Sequence, residues 1–214
     1  MMGVKRPGCP FQVQSPSLSV AKSWNKLLTA LRLGKNNKMP QEKYARIERE
    51  RRFLLAQFPN DAMVVRNRRI SDHYIEGTTL RLREQHYNDG LTTYKLTQKL
   101  PLPGNGAQQG LITSLYLTEY EFSSLAQLPA RKLTKTRFSV PPFGIDIFDG
   151  LLKGLILAEA EFESGAAAEA FLIPSFAAGE VSTDDRLTGG QLARASRQDL
   201  QRWLLDYGVT LEPS

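Results

Sequence analysis

Apolar and charged positions alternate along much of this 214-residue chain, and the charged positions recur as like-signed sets on one side of the alternation. Glu48 and Glu50 are followed by Arg52, Arg81 pairs with Arg83, Lys95 with Lys99, Lys135 with Arg137, and Glu159 with Glu161. A period of two places each set on one face of a β-strand. The residues between or beside them are mostly apolar, as in Leu80-Arg81-Leu82-Arg83 and Leu157-Ala158-Glu159-Ala160-Glu161-Phe162, so the other face has a core to bury. The pattern predicts strands over residues 44–57, a strand pair within 62–84 broken at Glu76-Gly77-Thr78, and strands over 91–100, 112–117, 132–140, 144–149 and 154–163. Thr118 with Glu121 three residues on predicts a capping box that opens a short helix to about Leu128. Further helices are predicted over 166–171 and 190–207.

A lone Arg-x-Arg or Glu-x-Glu is ordinarily a solvated sheet face with cross-strand ion pairs. Repetition over five strands favours a shared site. The fold class expected is α+β, an antiparallel β-barrel with covering and C-terminal helices, its apolar residues turned outward under the helices and its charges gathered on the inner wall.

Composition then narrows the setting. With 41% hydrophobic and 23% charged residues the chain is ordinary for a soluble globular protein. Cys9 is the single cysteine and His73 and His86 the only histidines, which excludes an internal disulfide and zinc-ligand spacing. The expected setting is reducing and cytoplasmic. No apolar run approaches the roughly 20 residues that cross a bilayer.

The net charge of +6 would raise nucleic acid as a partner, but residues 1–40 carry all of the excess, with seven Lys or Arg and no acid. No nucleic-acid partner is expected for the rest. Residues 1–38 read as a basic arm, with Val20, Trp24, Leu27, Leu28 and Leu31 on one face of an amphipathic helix over 19–33. Such a segment suits a membrane surface or a targeting signal, but the plainer readings, a helix packed on the domain or sequence ahead of a start at Met39, are preferred. The domain proper is expected over 39–214.

Adjacent glutamates repel, and burying them calls for positive charge between them. With no soft ligands on offer, a hard divalent cation, Mg²⁺ or Mn²⁺, suits them. Arg52, Arg81, Arg83, Lys99, Lys135 and Arg137 are too many to be counter-ions alone. Their surplus suits a polyanion, and the ligand suggested is a linear triphosphate.

The segments Ile47-Glu48-Arg49-Glu50-Arg51-Arg52-Phe53-Leu54-Leu55, Leu80-Arg81-Leu82-Arg83, Leu96-Thr97-Gln98-Lys99, Lys135-Thr136-Arg137 and Ile145-Asp146-Ile147-Phe148-Asp149-Gly150, in that order and leading to Glu159 and Glu161, resemble the CYTH family of triphosphate tunnel metalloenzymes. The resemblance covers residues 44 to about 187 and takes in Phe171-Leu172-Ile173-Pro174 and Val181-Ser182-Thr183-Asp184. It implies a triphosphate tunnel binding its ligand end to end. It further implies metal ligands at Glu48, Glu50, Glu159 and Glu161 with Asp146 near them, and phosphate-binding groups at Arg81, Arg83, Lys99, Lys135 and Arg137. Lys95, parallel to Lys99, joins the substrate-binding set. Arg52 stands where the signature Glu-x-Glu-x-Lys has lysine, and is placed with Glu48 and Glu50 in the catalytic group and among the substrate ligands. The acidic middle strand of the family is replaced by residues 112–117 and the short helix.

The activity expected is metal-dependent hydrolysis of inorganic triphosphate or another small molecule bearing a triphosphate. Adenylate cyclisation on the same scaffold and non-catalytic polyphosphate or nucleotide binding are the rival expectations. Partners beyond that small molecule are not indicated, and a homodimer is left open.

Overall fold

A computed structural model describes residues 44–101 and 109–211. The expected arm at residues 1–38 lies outside the described residues. Eight antiparallel strands follow the alternating segments: β1 (Arg46–Leu55), β2 (Arg66–Ile75), β3 (Leu80–Tyr87), β4 (Thr92–Pro101), β5 (Gln109–Leu117), β6 (Ala130–Val140), β7 (Phe143–Phe148) and β8 (Ile156–Glu161). Their order is β5-β4-β3-β2-β6-β7-β8-β1, and pairing of β1 with β5, from Arg46 opposite Ile112 to Arg49 opposite Gln109, closes the sheet into a barrel. A two-residue strand, β9 (Gly179–Glu180), adds to β1 beside Phe53 and Leu54. Eight strands leave an interior just wide enough to be filled by side chains or a small ligand.

Register makes the inner face explicit, because directly opposed residues share a face. Asp72 lies opposite Arg83, Arg83 opposite Lys95, Arg137 opposite Asp146, and Arg52 opposite Glu159. Every like-signed set predicted from the alternation is therefore on the same wall.

The capping box at the start of α1 (Glu119–Leu125) forms as expected, with the Thr118 hydroxyl accepting from the Glu121 N–H and the Glu121 carboxylate accepting from the Thr118 N–H at 2.7 Å. The helix ends three residues before Leu128. It lays Phe122 over Tyr94 and His73, at 4.7 and 5.8 Å between ring centroids, covering the outside of β2 and β4.

Two expectations are corrected. The single helix predicted over 190–207 is two, α3 (Gly189–Leu192) and α4 (Arg197–Leu205), with α2 (Gly165–Ala170) preceding them. Ser196 and Asp199 exchange side-chain-to-backbone bonds in a second capping box, which starts a new helix where the apolar periodicity alone would continue the old one.

The apolar residues are also not all outward. Phe53, Leu55, Ile145 and Ala158 do face out and pack under Phe171 and Ala177. Leu54, Leu133, Phe148 and Leu157, however, occupy inward positions at one end of the barrel and merge with Val181, Leu187, Leu192, Leu200 and Leu204 into the larger core. That end is plugged by the C-terminal segment, so the bore is a blind barrel rather than one open at both ends. Gly189 permits the seating, because a Cβ there would fall 1.9 Å from the Tyr74 hydroxyl.

Candidate active site

Between the plug and the far mouth, the inner wall carries a belt of ion pairs. On β1, Glu48 and Glu50 share the ammonium of Lys99 from β4, whose Nζ lies 2.6 Å from Glu48 Oε2 and 2.9 Å from Glu50 Oε1. Arg52, the next inward residue, sits with Nε 3.8 Å from Glu50 Oε1 and donates to the carbonyls of Leu187 at 2.7 Å and Ser182 at 3.2 Å. It is thus tied to the plug, a partner set that the spacing of charges could not reveal.

Across the barrel, Arg83 grips Asp72 with two bonds of 2.6 and 2.7 Å, and Arg81 Nε stands 3.6 Å from the same carboxylate. Asp146 on β7 accepts two bonds of 2.6 Å from Arg137 and another from Lys135. Arg137 also donates to Glu159, joining β6, β7 and β8. Gly144 leaves the space this guanidinium crosses, since a Cβ there would lie 3.3 Å from Arg137 Cδ.

Two predicted site residues stand apart from the ion pairs. Glu161, opposite Glu50 in the register, is exposed at the end of β8 and lines a cleft of about 210 Å³ with Glu48. Lys95 lies over the ring of Tyr116 at 4.7 Å. Residues that the alternation did not single out complete the belt: Asp72, and Arg68 with Gln85, whose side-chain oxygen accepts from Arg68 Nε at 3.2 Å. β2 does carry a period-two signal in Arg68, Ile70, Asp72 and Tyr74, but of mixed character, so only the register with β3 and β6 shows it to be lumenal.

The electrostatics of the belt divide in two. Burial alone would raise Asp72 and Glu159. In each case neighbouring cations outweigh it and hold the carboxyl below its ordinary range: Arg83 and Arg81 for Asp72, Arg137 and Lys135 for Glu159. Glu50 behaves oppositely. Burial, then the negative charge of Glu159, push it up, with Glu48 adding to the effect and Lys99 opposing it. Lys99 itself is raised: burial alone would lower it, but Glu50 and Glu48 outweigh that.

The lowered Asp72 gives a pH prediction. Its stabilising effect is present above its unfolded value near 3.8 and is lost as the pH falls toward the folded one. Asp72→Asn is expected to cost on the order of 2 kcal/mol at neutral pH, with the gap to the unsubstituted protein closing below about pH 4. Urea unfolding across pH measures this; a gap independent of pH would remove the assigned ion pair.

No group of three or more Asp, Glu, His or Cys side chains already converges on a metal-sized point among the described residues. The donor set nevertheless fits a hard cation. Glu48 Oε2 is buried beside Lys99 yet accepts no well-directed hydrogen bond, and Glu50 is raised by burial and its fellow acids. The two carboxylates share one ammonium, Lys99, and adjacent oxygen donors of this kind suit Mg²⁺ or Mn²⁺. Among the described residues, no helix is long and apolar enough to cross a membrane.

No protein-family model matches the chain. Over 154 residues, 68% of this chain and 96% of the relative, it is 34% identical to a protein of Nitrosomonas europaea named inorganic triphosphatase. Among solved structures, that of the inorganic triphosphatase NE1496 is 28% identical, with a TM-score of 0.47 over 69% of this chain and 95% of that one. A second structure, described as the hypothetical protein NE1496, is 29% identical, with a TM-score of 0.48 over 70% of this chain and 99% of that one.

Proposed function

Since this chain belongs to the family of the Nitrosomonas europaea inorganic triphosphatase, we propose that it hydrolyses inorganic triphosphate, or another small molecule ending in a triphosphate, inside the barrel and with a divalent cation, as a member of the CYTH family. The single observation that carries the reading is the meeting of both signs of charge on one inner wall. Lys99 lies between Glu48 and Glu50, and Arg137 lies between Asp146 and Glu159.

Arg81, Arg83, Lys135, Arg137 and Lys99 bind non-bridging phosphate oxygens, exchanging part of their carboxylate contacts for charge-assisted bonds to the ligand. Lys95 extends this set toward the mouth. Glu48, Glu50, Glu159 and Glu161, with Asp146 completing the acidic set, would hold Mg²⁺ or Mn²⁺, which when bound neutralises charge on the phosphate oxygens. Glu50 accepts a proton from the attacking water, a role suited to a carboxylate whose affinity for protons is raised. Arg52, fastened to the Leu187 and Ser182 carbonyls, keeps its guanidinium beside Glu50 and steadies it. Water adds to the terminal phosphorus, the bridging P–O bond breaks, and orthophosphate and a diphosphate leave.

The test is release of orthophosphate from tripolyphosphate with Mg²⁺ or Mn²⁺, repeated with excess chelator. Turnover that stops on chelation is expected. Turnover indifferent to the chelator would remove the cation from the reading, and cyclic AMP with pyrophosphate from ATP, without phosphate from tripolyphosphate, would replace hydrolysis by cyclisation.

A further inference from the structure

Most basic groups of the lumen are already engaged. Arg81 and Arg83 face Asp72, Lys135 and Arg137 face Asp146, Lys99 faces Glu48 and Glu50, and Arg52 is fastened to backbone carbonyls. Arg68 is different. It is inward on β2, opposite Arg137 on one side and Tyr87 on the other. Among the described residues it pairs with no carboxylate. Its Nε donates to Gln85 Oε1 at 3.2 Å, and Gln85, itself buried, donates through Nε2 to the Thr93 hydroxyl at 3.1 Å. The chain Arg68–Gln85–Thr93 fixes how the guanidinium points while leaving its two terminal nitrogens uncommitted. Burial first, then the positive charge of Arg137 and more weakly of Arg83, disfavour its charged form, with Tyr87 and, least, Asp146 offsetting only part of this.

A half-buried cation that is oriented, repelled by its neighbours and without a counter-ion is a place for an anion. Its position says which part of an anion. β2 runs from the mouth at Arg66 to the plug at Tyr74, so Arg68 stands about 13 Å along the strand from Asp72, on the mouth side of the belt. Tyr87 and Tyr116 on the same side already have cations against their rings: Arg66 lies 4.0 Å from the centre of Tyr87, with Arg68 at 5.7 Å, and Lys95 lies 4.7 Å from that of Tyr116. At these two rings the barrel offers positive charge in place of a bare aromatic face on which a nucleobase could stack.

We propose that Arg68, oriented by Gln85 and Thr93, binds the outermost phosphate of the substrate, and that this subsite selects a chain ending in a free phosphate over one ending in a nucleoside. The inference rests on the triphosphatase reading and adds to it a residue and a substrate class. An unsubstituted terminal phosphate carries the extra negative charge that this uncommitted guanidinium requires, whereas an esterified one carries less and brings a bulky group to the mouth.

The full chain, free of metal, is titrated calorimetrically with sodium tripolyphosphate, with pyrophosphate and with ATP, as the unsubstituted protein and as Arg68→Gln and Arg68→Lys. Loss of a charge-assisted bond predicts that Arg68→Gln weakens tripolyphosphate binding about 10- to 100-fold, pyrophosphate and ATP binding by less than a third of that factor, and that Arg68→Lys recovers part of the loss. The ligand-free Arg68→Gln protein is expected to melt no lower than the unsubstituted one, since the charge removed is repelled by Arg137 and Arg83. A merely structural arginine would lower the melting temperature instead, and that outcome overturns the proposal. So does an equal loss for all three ligands, or unchanged tripolyphosphate binding in Arg68→Gln. If the unsubstituted protein binds no tripolyphosphate and, given Mg²⁺ or Mn²⁺, releases no phosphate from it either, the triphosphatase reading fails and takes this subsite with it; if it binds none without metal yet releases phosphate with it, the subsite alone is lost. If it binds tripolyphosphate and Arg68→Gln binds it equally well, the subsite alone is lost.

Discussion

Arg137→Met is expected to abolish phosphate release from tripolyphosphate and to destabilise the protein by about 3–5 kcal/mol, the cost of leaving buried charge unpaired. Arg137 supplies two of the bonds on Asp146 and the bond on Glu159, and it is the largest influence holding the Glu159 carboxyl down against its burial. Methionine fills a similar length beside Gly144 without a donor. Lys135 still partners Asp146, so the damage centres on Glu159. Two measurements separate the charge effect from a packing effect: urea unfolding of Arg137→Met, and of Arg137→Met with Glu159→Gln. The double variant should recover part of the lost stability, because it no longer buries an unpaired carboxylate. A single variant within 1 kcal/mol of the unsubstituted protein would contradict the pairing.

Glu50→Gln should show the reverse combination, a loss of catalysis without a loss of stability. The Glu50 charge is opposed by burial and by Glu159 and Glu48, and Lys99 relieves it only in part. Glutamine keeps the shape and removes the repelled charge, while Lys99 retains Glu48 at 2.6 Å. The metal-free variant is therefore expected to melt at or above the temperature of the unsubstituted protein. Its turnover of tripolyphosphate should fall about 10²- to 10⁴-fold, the range supplied by a positioned base. Scanning calorimetry and phosphate release, run on the same preparations, decide it. Full activity would remove Glu50 from the chemistry, and a melting temperature several degrees lower would make it a structural carboxylate.

The contrast between these two residues could not be drawn from their spacing. In sequence Glu50 and Glu159 are equivalent members of Glu-x-Glu sets. In the barrel one is raised by burial and by its fellow acids and the other is held down by cations, because Arg137 reaches Glu159 across β7 while Glu50 has only Lys99, shared with Glu48, and the more distant Arg52 at 3.8 Å. Arg52 makes the same point. Its place in Glu48-x-Glu50-x-Arg52 puts it on the inner face, yet its donors go to carbonyls of a segment some 130 residues later in the chain.

Which residues form strands, which side carries charge on the five strands with like-signed sets, and where helix α1 begins were determined by the sequence itself. Alternation with a period of two and the Thr118/Glu121 box are local patterns, fixed by backbone geometry within a few residues. The tertiary structure alone decided which charges meet, that Leu54, Leu133, Phe148 and Leu157 turn inward to stop one end of the bore, and that Asp72 and Arg68 belong to the belt. Those outcomes depend on register between strands distant in sequence and on the closure of β1 onto β5. A one-residue shift in either would exchange the two faces of a strand without altering a single local preference.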